Sequence, residues 1–428
     1  MGKVSCKKSK FRGWRAVTLD NDLVTLVVVP DIGGRIMAFN LGSYEYLYVD
    51  PELAGKLFSP EENYGQGRLV DWKNYGGDKT WPAPQGWEDD SQWHGPPDPV
   101  LDTGRYSLAE LECEDSFASL KMISPPDYRT GVQITRQVGI IQGSSRVRLD
   151  LAFTNITDRQ IRWSIWDVVQ LNAAKLGNHS EQGHDSSCVV TAPLDPNSRF
   201  PRGFNVMFGE ENNPQWTGDQ QSGLFKASYQ WKIGKVGIDS PGGWIAFSNN
   251  SQGYGFVEQF DYELGGEYPD DGATVECWTV GDGVVESLDY SESQIYLMET
   301  EVLSTMRDIH PGKSTYFTIE WGACRCPGTI VEVSDGGCFS KSLSAARQEE
   351  MVKVEAELGV FDVGALNLWW INENGERITT EQICRVSPQN EVVLENIFTP
   401  PEAAVGVEIG VIRDSDSGIR MAANAWIE

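Results

Sequence analysis

Short runs in which apolar side chains alternate with polar ones recur along this chain, each closed by Gly, Pro, Asn or Asp. A period of two sends successive side chains to opposite faces of an extended strand. Leu23–Val29, Ser119–Ile123, Val132–Ile141, Arg146–Asn155, Ile161–Leu171, Gly243–Ser248 and Tyr254–Phe260 fit it, as do Thr274–Val280, Ser293–Leu303 and Ser314–Gly322. Helical periodicity is nearly absent, and only Ala345–Leu358 resembles it. Many strands without helices between them predict an all-β fold of sandwiches or barrels.

The length of 428 residues points to more than one domain. Asp335–Ser344 is rich in Gly and Ser and predicts a joint, with a large unit at 1–335 and a small β-sandwich at 345–428. The tail strands are expected at Met351–Leu358, Asn367–Ile371, Glu391–Leu394, Val405–Ile412 and Met421–Ile427. Two segments do not read as strands. Asp50–Pro99 carries Trp72, Trp81, Trp87 and Trp93 among Gly, Pro, Asn and Asp, and Leu176–Trp216 is a polar insertion holding His179 and His184. Long irregular segments in compact domains usually serve function.

A net charge of −27 and the lack of a basic run beyond Lys7-Lys8-Ser9-Lys10 argue against nucleic acid and against an anionic membrane surface. Residues 1–20 hold no apolar core of signal-peptide length, and no stretch approaches the roughly 20 apolar residues of a membrane span. A cytoplasmic protein is expected. The eight cysteines are scattered, and Cys324-x-Cys326 has no second pair, so free thiols are expected rather than a metal site. His179-x-Glu181-x-x-His184, Asp89-Asp90 and Asp270-Asp271 have ligand types but no EF-hand or helical spacing, so no metal is assigned.

Three segments resemble the galactose-mutarotase-like (aldose 1-epimerase) superfamily. Leu23 to Ile36, with its Pro30-Asp31-Ile32-Gly33-Gly34-Arg35 turn, is similar to the opening strands of those proteins. Asn74-Tyr75-Gly76-Gly77-Asp78-Lys79-Thr80-Trp81-Pro82-Ala83-Pro84-Gln85, with Trp93-His94-Gly95-Pro96-Pro97-Asp98-Pro99, resembles a signature of a bacterial branch. Val275–Thr279, Leu297-Met298-Glu299-Thr300-Glu301 and His310-Pro311-Gly312 through Trp321 follow the closing order of aldose 1-epimerases. The resemblance covers about residues 15–325. It implies a large β-supersandwich, a sugar or glycan as ligand, and anomer interconversion by an acid/base pair without cofactor.

On that resemblance Glu299 aligns with the general base, and Glu301, two residues on, shares its face. Their mutual repulsion would raise one pKa. The matching central strand, Trp163–Leu171, has no histidine, and Trp166 or Asp167 stands where the acid is expected. The acid is then sought at His94 or His184, with His179 beside it in the insertion and His310 read as a turn residue. Sugar contacts are expected from Arg35, Asn74, Asp78, Lys79, Trp81, Trp93, Trp166, Asp167 and Gln170, which combine aromatic faces with hydrogen-bonding edges. The alternatives are a binding protein that keeps the cleft without catalysis, and a cleft recruited for polysaccharide cleavage or another small molecule.

Overall fold

The computed structural model describes residues 2–428 except Asp90, 176–182, Gln220 and Ser287. His179 and Glu181 therefore lie outside the described residues. Among those described, the chain is all-β apart from a five-residue helix, Pro60–Tyr64, and two 3₁₀ turns. No helix is long and apolar enough to cross a membrane.

A five-stranded meander from Ser5 to Glu45 leads into two large antiparallel sheets, one of ten strands and one of seven. The seven-stranded sheet consists of β1 (Asp78–Ala83), β2 (Ile161–Asn172), β3 (Asn205–Phe208), β4 (Gly234–Ile238), β5 (Val275–Thr279), β6 (Leu297–Leu303) and β7 (Arg307–Ile309). Its order is β3-β4-β5-β6-β2, with β1 pairing along the far side of β2 and β7 continuing the line of β6 along the near side. Pro82, which has no N–H to give a ladder, sits in β1, a strand paired on one side only.

Strand patterning explains these elements. Val132–Ile141 alternates buried and half-buried residues, as a strand with one core face should. β2 is buried along almost its whole length, because one face meets the ten-stranded sheet and the other lies under a layer of tryptophans. The segment Asp50–Pro99, expected to be irregular, contributes β1, and Leu176–Trp216 contributes Cys188–Pro193 and β3. Alternation was too short there to be read against the surrounding Gly and Pro. The Gly33-Gly34 turn has φ of +78° and +62°. A Cβ at Gly33 would stand 2.1 Å from the Asp102 carbonyl oxygen, so only glycine fits.

Past the large sheets lies a sandwich of two four-stranded sheets with its own apolar core, from Phe339 and Val354 to Trp370, Ile409 and Val411. Within Asp335–Ser344 the chain is already extended: Gly337–Gln348 is a strand of this sandwich and pairs with Met351–Val360 in a hairpin. The helical appearance of Ala345–Leu358 comes from that hairpin, whose turn places Glu349 at φ +58°. The joint is packed. Ser145 N–H donates to the Phe361 carbonyl at 2.8 Å, and the Arg146 guanidinium lies 4.8 Å from the Phe361 ring centroid. All eight cysteines are free, and the Cys324 and Cys338 sulfurs face each other across the joint at 3.3 Å.

Between the two large sheets runs a chain of buried polar groups. Arg136 bonds Asp78 at 2.5 Å and the Gly34 carbonyl at 3.2 Å, and Asp78 accepts the Ile36 N–H at 2.9 Å. Thr80 donates to Asp167 at 2.6 Å, and Trp321 donates to Glu258 at 3.2 Å. Burial, then the nearby Asp78 charge, pushes the Asp167 carboxyl up to about 7 against the pull of Arg136. Burial, then Asp167, also raises Glu258 well above its ordinary value.

A carboxyl whose pKa rises on folding binds its proton more tightly in the native state, so its contribution to stability falls as pH rises from about 4 toward 7. Asp167→Asn should flatten the dependence of the urea midpoint on pH across that window. A slope identical to wild type would show that Asp167 does not hold the proton.

Candidate functional site

Because β-strand side chains alternate, the face of the seven-stranded sheet opposite the buried network carries a different set of residues. Register aligns them in rows. Lys235 of β4 pairs with Trp278 of β5, Trp278 with Glu299 of β6, and Glu299 with Gln170 of β2. Four residues earlier in β2 and on the same face, Trp166 pairs with Trp81 of β1. These side chains floor a cleft of about 230 Å³, walled by Trp72, Trp87 and His94 on one side and by Phe208, Val285 and Tyr290 on the other. Two roomier grooves, around Arg15 and Arg105 and around Asp50 and Tyr296, are open troughs on the surface. The convergent carboxylates and amines are in the cleft.

Glu299 is 8% exposed. Its Oε1 accepts from Lys79 Nζ at 3.1 Å and from Gln170 Nε2 at 2.5 Å. Among the described residues Oε2 has no such partner. Lys79 is itself buried, 4.8 Å from the Trp81 ring centroid, and burial lowers its pKa against the pull of Glu299. An amine held this way fixes the carboxylate's orientation and offsets its charge.

A second cluster lies beside the first. Lys235 Nζ is 2.6 Å from Glu276 Oε2, 3.0 Å from Glu301 Oε2 and 4.3 Å from the Trp166 ring centroid. The Trp166 indole N–H donates to the same Glu301 oxygen at 2.9 Å. Burial pushes Glu276 up to about 7 and Glu301 up to about 8, Lys235 opposing in both cases. Burial lowers the Lys235 pKa, but the two glutamates outweigh it and raise it overall. One ammonium thus faces two carboxyl groups that burial and neighbouring carboxylates both push toward the neutral form. The repulsion expected between Glu299 and Glu301 is the smaller cause, and burial dominates.

The structure divides the residues named from sequence. Asn74, Trp81, Trp166, Gln170, Glu299 and His94 line the cleft, and Lys79 stands behind Glu299. His94 is exposed and stacks on Trp87 with centroids 4.6 Å apart. Asp78 and Asp167 face the opposite way, into the network between the sheets, because each is one residue out of phase with a cleft residue. Arg35 is also turned inward. It pairs with buried Asp102 and donates to the Gly76 carbonyl at 3.0 Å, while Asp102 takes the Trp72 indole N–H at 2.9 Å. Arg35 thus reaches the cleft only through Trp72. Trp93 is buried behind Trp81, centroids 4.9 Å apart, and donates to Asp98 at 2.9 Å. His184 lies away from the cleft, edge-on to Tyr229 at 5.7 Å. His310 closes a turn by accepting the Lys313 N–H at 3.0 Å.

Sequence reasoning missed Lys235, Glu276, Trp278, Phe208 and Tyr290. Trp278 and Glu276 stand in a strand that was recognised, and their alternation would have placed them on one face. Lys235 had no signal, since Gly234–Ile238 is short and flanked by glycine-rich sequence. Among the described residues no group of three His, Cys, Asp or Glu is arranged to hold a metal.

Removing the buried guanidinium in Arg35→Met leaves Asp102 uncompensated and should cost about 3–5 kcal/mol. A fall in the urea midpoint with an unchanged m-value would register it. A midpoint within error of wild type would mean that the pair is not a structural anchor.

Residues 15–176 match a family described as a domain of unknown function, DUF4380. No curated protein matches the chain. Among solved structures, a galactose mutarotase-like protein from Clostridium acetobutylicum is 9% identical, with a TM-score of 0.47 over 76% of this chain and 99% of that one. A TPR-domain containing protein from Parabacteroides distasonis is 13% identical, with a TM-score of 0.46 over 75% of this chain, which spans only 48% of that protein.

Proposed function

We propose that the cleft binds a single sugar ring and that Glu299 acts on it as a general base in anomer interconversion. The observation that carries this is the asymmetry of the Glu299 carboxylate: Oε1 is held by Lys79 and Gln170, while Oε2 is left for a ligand on an aromatic floor. A sugar presents C–H faces that stack on indole rings and hydroxyl edges that pair with fixed polar groups, and both are present within a few ångströms. The volume of about 230 Å³ is below the range of drug-sized pockets, which favours one ring over an extended glycan. Neither metal nor cofactor is required for the proton transfers involved.

A second reading, sugar binding without turnover, is favoured by one observation: His94, the histidine on the cleft, is exposed and stacked on Trp87 rather than held facing Glu299. Exchange NMR on a panel of free aldoses separates the two. Accelerated anomer exchange in wild type that falls ~10²–10⁴-fold in Glu299→Gln supports the base. Saturable line broadening of one aldose without acceleration supports binding alone. No effect of any kind on the panel rules out both. Trp278→Ala, which removes the ring beside Glu299, should weaken apparent affinity by ~2–10-fold, the equivalent of one aromatic contact.

A further inference from the structure

We infer that Lys235 is the proton donor of this site, the partner that works opposite Glu299. The inference rests on the reading of the cleft as a sugar site with Glu299 as base. Lys235, Trp278 and Glu299 occupy one row across β4, β5 and β6, so all three side chains leave the sheet on one face. Two strand spacings, about 9.5 Å, separate the backbones of Lys235 and Glu299. Trp278 lies between the two backbones, and the ammonium reaches across β5 to Glu301 and the Trp166 ring, so a ring lying against Trp278 and Trp166 meets both the Glu299 carboxylate and the ammonium.

The ammonium is positioned rather than loose. Glu276 and Glu301 hold it at 2.6 and 3.0 Å, and the Trp166 ring flanks it at 4.3 Å. The side chain is 15% exposed, and it is part of the cleft wall. An ammonium has three N–H donors, enough to serve a ligand in the cleft beside the two glutamates. The charged and titratable groups around it are Glu276 on β5, Glu301 on β6 and Asp270 in the turn before β5. His94 lies instead on the loop that follows β1, exposed and stacked on Trp87.

The step balances without a further reactant. The anomeric O–H gives its proton to Glu299 Oε2 as the C1 carbonyl forms and the bond from C1 to the ring oxygen breaks. The ring oxygen takes a proton from the Lys235 ammonium, leaving an open-chain aldehyde, a carboxylic acid and an amine. Closure on the other face of the carbonyl returns both protons. Glu276 and Glu301 keep the nitrogen in place while it changes charge.

The test is anomer exchange in wild type, Glu299→Gln and Lys235→Ala, with ethylamine titrated into the last. Exchange that does not depend on Glu299 overturns the sugar-site reading itself, and with it this inference. Given Glu299-dependent exchange, Lys235→Ala should lower kcat ~10²–10⁴-fold, and ethylamine should restore it with saturation. Wild-type kcat in Lys235→Ala, or a loss that the amine does not repair, overturns the assignment and returns the role to His94. Should Lys235→Ala fail to fold with two glutamates uncompensated, the Lys235→Ala, Glu301→Gln pair removes one of those charges and is read the same way.

Discussion

Arg136 and Asp78 meet where both side chains are fully buried, and the rest of the site depends on that contact. A buried ion pair is weak evidence of net stability, but it is strict about geometry, since an unpaired partner would cost several kcal/mol. The pair fixes the depth of β1 against the strand Val132–Ile141 of the ten-stranded sheet, and Thr80 donating to Asp167 ties β1 to β2. Because β1 alternates, holding Asp78 and Thr80 inward necessarily sets Lys79 and Trp81 outward, under the cleft. Lys79 then reaches Glu299. The cleft geometry is thus inherited from an interaction on the other side of the sheet.

The aromatic layer works at a second level. Trp166, Trp81 and Trp93 form a run of contacts with centroids 5.5 and 4.9 Å apart, and Trp72 joins at 6.2 Å from Trp81. Trp72 and Trp93 are each tied by the indole N–H to an aspartate, Asp102 and Asp98, and those aspartates are neutralised by Arg35 and Arg129. Offset and tilted rings of this kind gain modestly over simple burial. Their larger effect is to exclude water from around Lys79, which strengthens its hold on Glu299.

Much of the fold was legible because alternation is a direct consequence of pleating: the observed strands at Val24–Val29, Val132–Ile141, Val147–Asn155 and Leu297–Leu303 lie within a few residues of where the pattern put them. Glu299 and Glu301 sharing a face followed from the same period. The phase of a strand buried on both sides is different. In Ile161–Asn172 nearly every residue is buried, so hydrophobicity gives no sign that Trp166 and Gln170 face the cleft while Asp167 faces the core. Arg35 illustrates a related blindness, since its partner Asp102 is distant in sequence and lies in a segment with no periodic signal. Lys235 is beyond local reading altogether, for its meaning comes from Glu276, Glu301 and Trp166 on three other elements.

The strand Asp78–Ala83 has no residue facing solvent: all six are buried. Its inward side chains satisfy a charge network and its outward ones shape the cleft. Such a strand has no silent positions. A substitution that loosens the interior disturbs the ligand side, and one that retunes the ligand side opens a void in packed surroundings. Diversification of this site is therefore channelled elsewhere, to the loop that bears Trp87 and His94 and to the rim at Glu286, whose side chains are exposed. Variants with altered ligand preference should be sought on that rim, with Asp78–Ala83 left as a fixed frame.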